Sequence, residues 1–343
     1  MTRQTVFITS PLDGEHVERL RAVAPELVEV LHNPELHPPL RYVADHNGEP
    51  GFKRTPEQEQ LWRESLGRAD ILFDFPVDMA LAPKVRWVQT TSTGVGQLVH
   101  KLGIQGSDIL VTTARGVHGG PLAEFVLLGL LGHFRGLRHL EAEQSAHRWV
   151  RYCGDEMAGK TVVLIGAGDL ARETAVRARA FGMRTIAVTR RPERTRGQEG
   201  VFDEIRGTAE LYATLARADA LVVTTPHTPE TERMIDGAAF AALKPGAAFV
   251  NIARGQVVDE AELIAGLRSG RIAFAALDVA AVEPLPGASP LWDMPNVLIS
   301  PHSASTVRRE NERITDIFCR NLRCWVDGRL DQMMNVLDKR LMY

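Results

Sequence analysis

Cysteine is scarce in this chain of 343 residues: there are three, Cys153, Cys319 and Cys324, and they form no CxxC pair. An odd, scattered set supports neither a disulfide framework nor a zinc ribbon, and it fits packing thiols in a reducing compartment. Aromatic residues make up only 6% of the sequence, which leaves no sign of a stacking platform for bases. An excess of positive charge is also lacking: 40 basic against 43 acidic residues give a net charge of -3, which argues against a broad basic face for nucleic acid. The longest apolar run, FVLLGLLGHF, is well short of the roughly 20 residues a membrane-spanning helix needs. The stretch MTRQTVFITSPLDGEHVERL breaks its apolar run after a few residues and reads as neither signal peptide nor anchor, so a cytoplasmic protein is expected. No internal repeat, low-complexity tract or metal-binding set stands out.

What is present is an ordinary globular composition, 44% apolar and 24% charged, on a chain longer than the ~100–200 residues of one typical domain. Two domains are expected. Short apolar or β-branched runs alternate with longer helical patterns, the signature of parallel sheets covered by helices on both faces. The first hundred residues read as strands at TVFIT, LVEVL, ILFDF and RWVQTT, with helices at EHVERLRAV and PEQEQLWRESL. Between them HNPELHPPLRYVADHNGEPGFKR lacks a period and reads as a long surface connection. A second series starts near residue 108 with DILVTT and continues through TVVLI, TIAVT, ALVVTT, AAFVNIA, IAFAALDV and NVLIS. Six or seven such strands suit two mononucleotide-binding halves side by side. The helix PLAEFVLLGLLGHFRG is apolar nearly all round, as a core crossover helix or a subunit contact would be. A last helix is expected near Val307 to Val326.

The stretch VVLIGAGDLA joins a strand end to a helix start. Gly166 permits the tight turn, Gly168 lets the backbone approach a pyrophosphate, and Ala171 lets the helix pack on the sheet. The helix start would aim free N–H groups and a partial positive charge at the phosphates, with Ala167, Asp169 and Leu170 along the same turn. Asp169 also suits a helix cap. Small residues at such turns can be plain packing devices, but here a second strand ends at the position expected for a ribose. That end is Thr189, followed by Arg190 and Arg191. A carboxylate there would repel a 2′-phosphate, whereas threonine beside two arginines accommodates it, so NADP is expected in preference to NAD, which stays possible.

Ligands of open parallel sheets bind beyond the carboxyl ends of the strands. Arg254 follows AAFVNIA, Glu283 lies in the loop after IAFAALDV, and His302 follows NVLIS and Pro301. Arginine offers a fixed charge and a planar fork for a carboxylate, so Arg254 would hold and polarise an anionic substrate. Histidine can exchange a proton with a carbonyl oxygen or hydroxyl near neutral pH, the role expected of His302. Glu283 would fix the tautomer of His302 and stabilise its imidazolium.

The segments NIARGQVVDEAELIAGLRSGRI, LDVAAVEPLP, SPLWDMPNVLISPHSA and NVLDKRLMY resemble the signature segments of the D-2-hydroxyacid dehydrogenase family. The likeness covers most of the chain from Ile71 onward, while the first seventy residues match only in pattern, and the cofactor loop is most similar to that of glyoxylate/hydroxypyruvate reductase-like members. The resemblance implies a catalytic set of Arg254, Glu283 and His302, with hydride passing between nicotinamide C4 and a 2-oxo or 2-hydroxy carbon of D configuration. It implies that Asp278 holds the nicotinamide carboxamide, that Thr225, Pro226, Ile252 and Ala253 line the cofactor, and that Thr93, Gly94 and Val95, in QTTSTGVGQL, bind the substrate carboxylate through backbone N–H groups.

The architecture implied is two Rossmann-like, doubly wound parallel-sheet domains of the α/β class, the larger cofactor domain inserted in a discontinuous, flavodoxin-like substrate domain. The expected bounds are 1–105 plus 302–343 for the substrate domain and 106–301 for the cofactor domain, with the active site in the cleft. ARGVHGGPLAEFVLLGLL resembles the start of a dimer-forming helix, so a homodimer is expected, with a small anionic 2-oxo or 2-hydroxy acid as substrate and neither nucleic acid nor membrane as partner. Departures occur at Ala171, His227, Ser303, Ala280 and Ala281, which bear on pocket shape; Trp149, Trp292 and His118 are candidates to reach the pocket. Dehydrogenases of phosphoglycerate, formate or phosphite, and nucleotide-sensing corepressors, share this kind of cofactor domain and remain alternatives to an NADPH-dependent 2-oxoacid reductase.

Overall fold

A computed structural model describes residues 3–195 and 200–340, so the last three residues of NVLDKRLMY lie outside the described residues. Two compact units are joined between Val117 and His118 and again between Ser305 and Thr306. The first contains strands β1 Gln4–Ile8, β2 Val28–Leu31, β3 Ile71–Phe73, β4 Trp87–Gln89 and β5 Leu110–Thr112 in the parallel order β2-β1-β3-β4-β5. Its helices are α1 Gly14–Arg21, α2 Pro56–Arg68 and α3 Gly96–Lys101, together with the C-terminal helix Glu310–Val326. Thr55 and Gln58 cap the start of α2 reciprocally, with Pro56 at its first position. Ile314, Phe318 and Leu322 repeat every fourth residue, which puts them on one face of the C-terminal helix; they are fully buried, and Phe318 stacks on Phe73 at 5.5 Å.

The second unit holds seven parallel strands: β6 Thr161–Ile165, β7 Arg184–Thr189, β8 Glu204–Gly207, β9 Ala220–Val223, β10 Ala247–Asn251, β11 Ile272–Leu277 and β12 Val297–Ile299. Their order is β12-β11-β10-β9-β6-β7-β8, two mononucleotide-binding halves with one added edge strand. The order reverses between β6 and β9, so the crevice beyond their carboxyl ends is the place for a dinucleotide. Helices α4 Gly119–Phe134, α5 Leu137–Ser145, α6 Asp169–Ala180, α7 Leu211–Leu215, α8 Gly237–Ala242 and α9 Glu260–Ser269 cover the sheet. Most of α4 is buried, and at Gly129 a Cβ would lie 2.9 Å from that of Ala276, so glycine lets this helix seat on β11. No helix among the described residues is long and apolar enough to cross a membrane.

Three expectations are corrected. DILVTT does not begin the second series: Leu110 pairs with Trp87, Val111 packs with Val95, Val99 and Ile104, and the strand is the edge of the first sheet. The junctions shift accordingly, from the expected 105/106 and 301/302 to 117/118 and 305/306, which places His302 in the second unit. Strand β8, EIRG, was not expected because it is polar; as an edge strand it uses Glu204 to pair with Arg184, Arg206 and Arg217. The chief cause, hydrogen bonding from Arg217, holds the Glu204 carboxyl well below the usual carboxylate range.

The segment 32–54 is a surface connection with a built interior. Asp45 is buried and accepts bonds from Arg41 Nε at 2.8 Å and from the backbone N–H groups of Arg41, Asn47 and Gly48. Nearby, His37 packs edge-on against Trp62, and burial pulls its imidazole down to about 4, with His32 and Arg54 acting in the same direction. The unfolded chain therefore takes up a proton near pH 6.5 that the folded chain refuses until about pH 4, so stability is full above 6.5 and falls across that window. Between pH 7 and 5 this residue should cost on the order of 2 kcal/mol. A His37→Phe variant should lose correspondingly less over that interval in urea titrations; equal losses would exclude His37 as the source.

Candidate active site

Strands β9 to β12 end in register, with Val223 beside Asn251, Asn251 beside Leu277 and Leu277 beside Ile299. Arg254, Asp278, Glu283 and His302 therefore all follow from one rim. Asn251 shapes the first loop: its Oδ1 accepts from Ala253 N at 3.0 Å and its Nδ2 donates to Arg254 O at 3.1 Å. Gly255 then meets the loop after β11 so closely that a Cβ would lie 1.9 Å from Ala280 O, and only glycine fits there. Gln256 Nε2 donates to Ala281 O at 3.0 Å and Glu260 accepts from Ala281 N at 2.9 Å, tying the arginine loop to the glutamate loop.

Glu283 spans the remaining distance. Its Oε1 accepts from Ala280 N at 3.1 Å, and its Oε2 lies 2.7 Å from His302 Nδ1. With Nδ1–H directed at the carboxylate, Nε2 is the nitrogen left to exchange a proton. Arg254 Nη1 donates to Ala253 O at 2.6 Å. Burial pulls the guanidinium below its ordinary value, against the opposing pull of Glu283 and then Asp278. An arginine stays charged even so, and a desolvated cation beside a histidine–carboxylate pair is suited to bind an anion and polarise its carbonyl. Asp278, Glu283 and His302 line a cavity of about 400 Å³ with Leu285, Leu291 and Trp292.

The residues at the switch point fit a dinucleotide. Gly166, after β6, has φ of 113°, and a Cβ there would lie 2.8 Å from Thr224 Oγ1. Gly168 caps α6 with no side chain, and a Cβ there would meet nothing within 4 Å, which leaves room for a phosphate against the first turn. Asp169 and Leu170 open α6, and Ala171 is fully buried within it. Thr189 ends β7, Thr225 and Pro226 follow β9, and Ile252 and Ala253 are buried after β10. Arg190 is paired at 3.7 Å with Glu230, an acidic neighbour that the sequence did not single out; Arg191 is half-buried.

Thr93, Gly94 and Val95 belong to the first unit, between β4 and α3; Thr93 and Gly94 are exposed, and the Val95 side chain is packed beside Val99 and Val111. Sequence reasoning also missed Asn251, Glu260 and Ser300. A polar residue closing the apolar run AAFVN was the one available signal for Asn251; the partners of Glu260 and Ser300 lie 21 and 22 residues away.

Residues 127–304 match the family described as D-isomer specific 2-hydroxyacid dehydrogenase, NAD binding domain. The chain is 36% identical over 279 residues, 77% of its length, to a D-3-phosphoglycerate dehydrogenase of Mycobacterium leprae, of which that match spans about half, 48%. It is 33% identical over 261 residues, 73% of this chain and 75% of the relative, to a glyoxylate reductase of Thermococcus gammatolerans. Among solved structures, a D-isomer specific 2-hydroxyacid dehydrogenase from Xanthobacter autotrophicus Py2 in complex with NADPH and MES superposes with a TM-score of 0.76 at 30% identity, covering 100% of both chains. With its glycine turn and its arginine, glutamate and histidine on one rim, the chain belongs to the D-isomer specific 2-hydroxyacid dehydrogenase family.

Proposed function

We propose that the protein is an NADPH-dependent reductase of small, unphosphorylated 2-oxoacids, producing the D-2-hydroxyacid. The observation that carries this reading is the 2.7 Å pairing of Glu283 with His302 on the rim that also bears the half-buried Arg254. Arg254 holds the substrate carboxylate and polarises the 2-oxo group. The nicotinamide, when bound, supplies the hydride. His302 Nε2 gives its proton to the carbonyl oxygen as negative charge develops there, and Glu283 stabilises the imidazolium before that transfer. The segment TSTGVGQ has no basic side chain for a phosphoryl group, which favours glyoxylate-type over phosphoglycerate-type substrates.

Thr189, Arg190 and Arg191 support NADPH over NADH, and so does the NADPH bound in the Xanthobacter relative. Homodimer formation has its support in the exposed Leu128, Leu137, Leu140, Trp149 and Val150 on α4, α5 and the segment after them.

His302→Ala should lower kcat by about 10²–10⁴-fold and leave NADPH binding intact. Unchanged turnover would refute the assignment. Across glyoxylate, hydroxypyruvate, pyruvate, branched and aromatic 2-oxoacids and 3-phosphohydroxypyruvate, followed by NADPH absorbance, the unphosphorylated acids should give the highest kcat/KM. Preference for the phosphorylated acid, or equal efficiency with NADH, would overturn the corresponding part of the proposal. Light scattering should return twice the chain mass; a monomer at working concentration contradicts the dimer.

A further inference from the structure

His302 is one of few non-glycine residues in the left-handed backbone region, with φ of 53°. A side-chain-bearing residue there costs roughly 1–2 kcal/mol, so surrounding contacts must impose the conformation. They converge on Asp278, which is buried just past the end of β11. Asp278 Oδ1 accepts three hydrogen bonds: from Ser300 Oγ at 2.7 Å, from Ser303 N at 2.9 Å and from Ala304 N at 2.9 Å. Asp278 O accepts a fourth, from His302 N at 2.8 Å. The last ladder bond, Ser300 N to Leu277 O at 2.8 Å, sets Ser300 beside Asp278. The turn that carries His302 is thus wrapped around one residue of the neighbouring strand end.

We propose that Ser300 is a positioning residue for His302, acting through Asp278 Oδ1 to hold the turn 300–304 in the conformation that aims the imidazole. The proposal rests on the reading of His302 as the proton donor. Ser300 supplies the only side-chain hydroxyl on that oxygen among the described residues; the other two bonds come from backbone N–H groups that become competent only once the turn is formed. Among the described residues every hydrogen bond to the Asp278 carboxylate falls on Oδ1, the oxygen that orders the turn.

The test uses the full chain with Ser300→Ala and Ser300→Thr, the second keeping the hydroxyl. A small misplacement of a reacting group can cost about 100-fold, so Ser300→Ala should lower kcat by tenfold or more, with the NADPH dissociation constant and thermal midpoint little changed. Ser300→Thr should recover most of the loss. The His302 Nδ1–H proton, held in the 2.7 Å bond to Glu283, gives an NMR signal that should broaden or move upfield in Ser300→Ala as that bond loosens. Wild-type kcat and an unchanged Nδ1–H signal in folded Ser300→Ala would overturn the proposal, as would a Thr variant no better than Ala. The Nδ1–H signal needs no turnover, so it decides this point even if no 2-oxoacid proves to be a substrate and the functional reading fails.

Discussion

In the second unit every strand runs the same way, and four neighbours, β9 to β12, stop within one register row at Val223, Asn251, Leu277 and Ile299. A parallel sheet buried on both faces offers polar groups no place between its strands, so charge is displaced to the strand ends. One rim therefore receives Arg254, Asp278, Glu283 and His302 from segments spread over 49 residues of chain. The apolar ladder beneath them, with Val222, Val250 and Ala276 fully buried, is the reference against which the loops are placed.

Neighbouring loops supply what that rim alone does not. Asn251 turns the backbone toward Arg254, Gly255 allows contact with Ala280, and Glu283 reaches His302. The last two of these contacts join consecutive strand ends. The arginine is left desolvated near two carboxylates, an arrangement whose cost an incoming anion reduces. A 2-oxoacid carboxylate has the charge and planar geometry to match it.

Much of this was legible in the sequence because the relevant signals are local. GAGDLA announces a strand-to-helix turn from its small residues alone, and apolar runs mark six of the seven strands in the larger sheet. Membership of a sheet is not local: DILVTT reads like any buried strand, and only its pairing with Trp87 and Val88 places it in the first unit. Strand β8 escaped notice because Glu204 and Arg206 make an edge strand look like a loop. Asp45 lies in a segment that looks irregular, yet five hydrogen bonds from residues within four positions make it the centre of that loop. Arg190 and Arg191 could be read as phosphate ligands, but the Glu230 that competes for Arg190 is distant in sequence. His302 was found through its motif, whereas its backbone conformation and the bonds onto Asp278 needed coordinates.

In the proposed reaction a hydride passes from nicotinamide C4 to the carbon of a 2-oxo group and a proton from His302 to its oxygen. Following the label separates the two: NADPH carrying deuterium at both C4 positions is incubated with a 2-oxoacid in ordinary water, and the hydroxyacid is analysed by mass spectrometry and chiral chromatography. One deuterium is expected at C2 of the D enantiomer, and none at C2 when the label is moved to the solvent. Solvent deuterium at C2, or a product of L configuration, would contradict it.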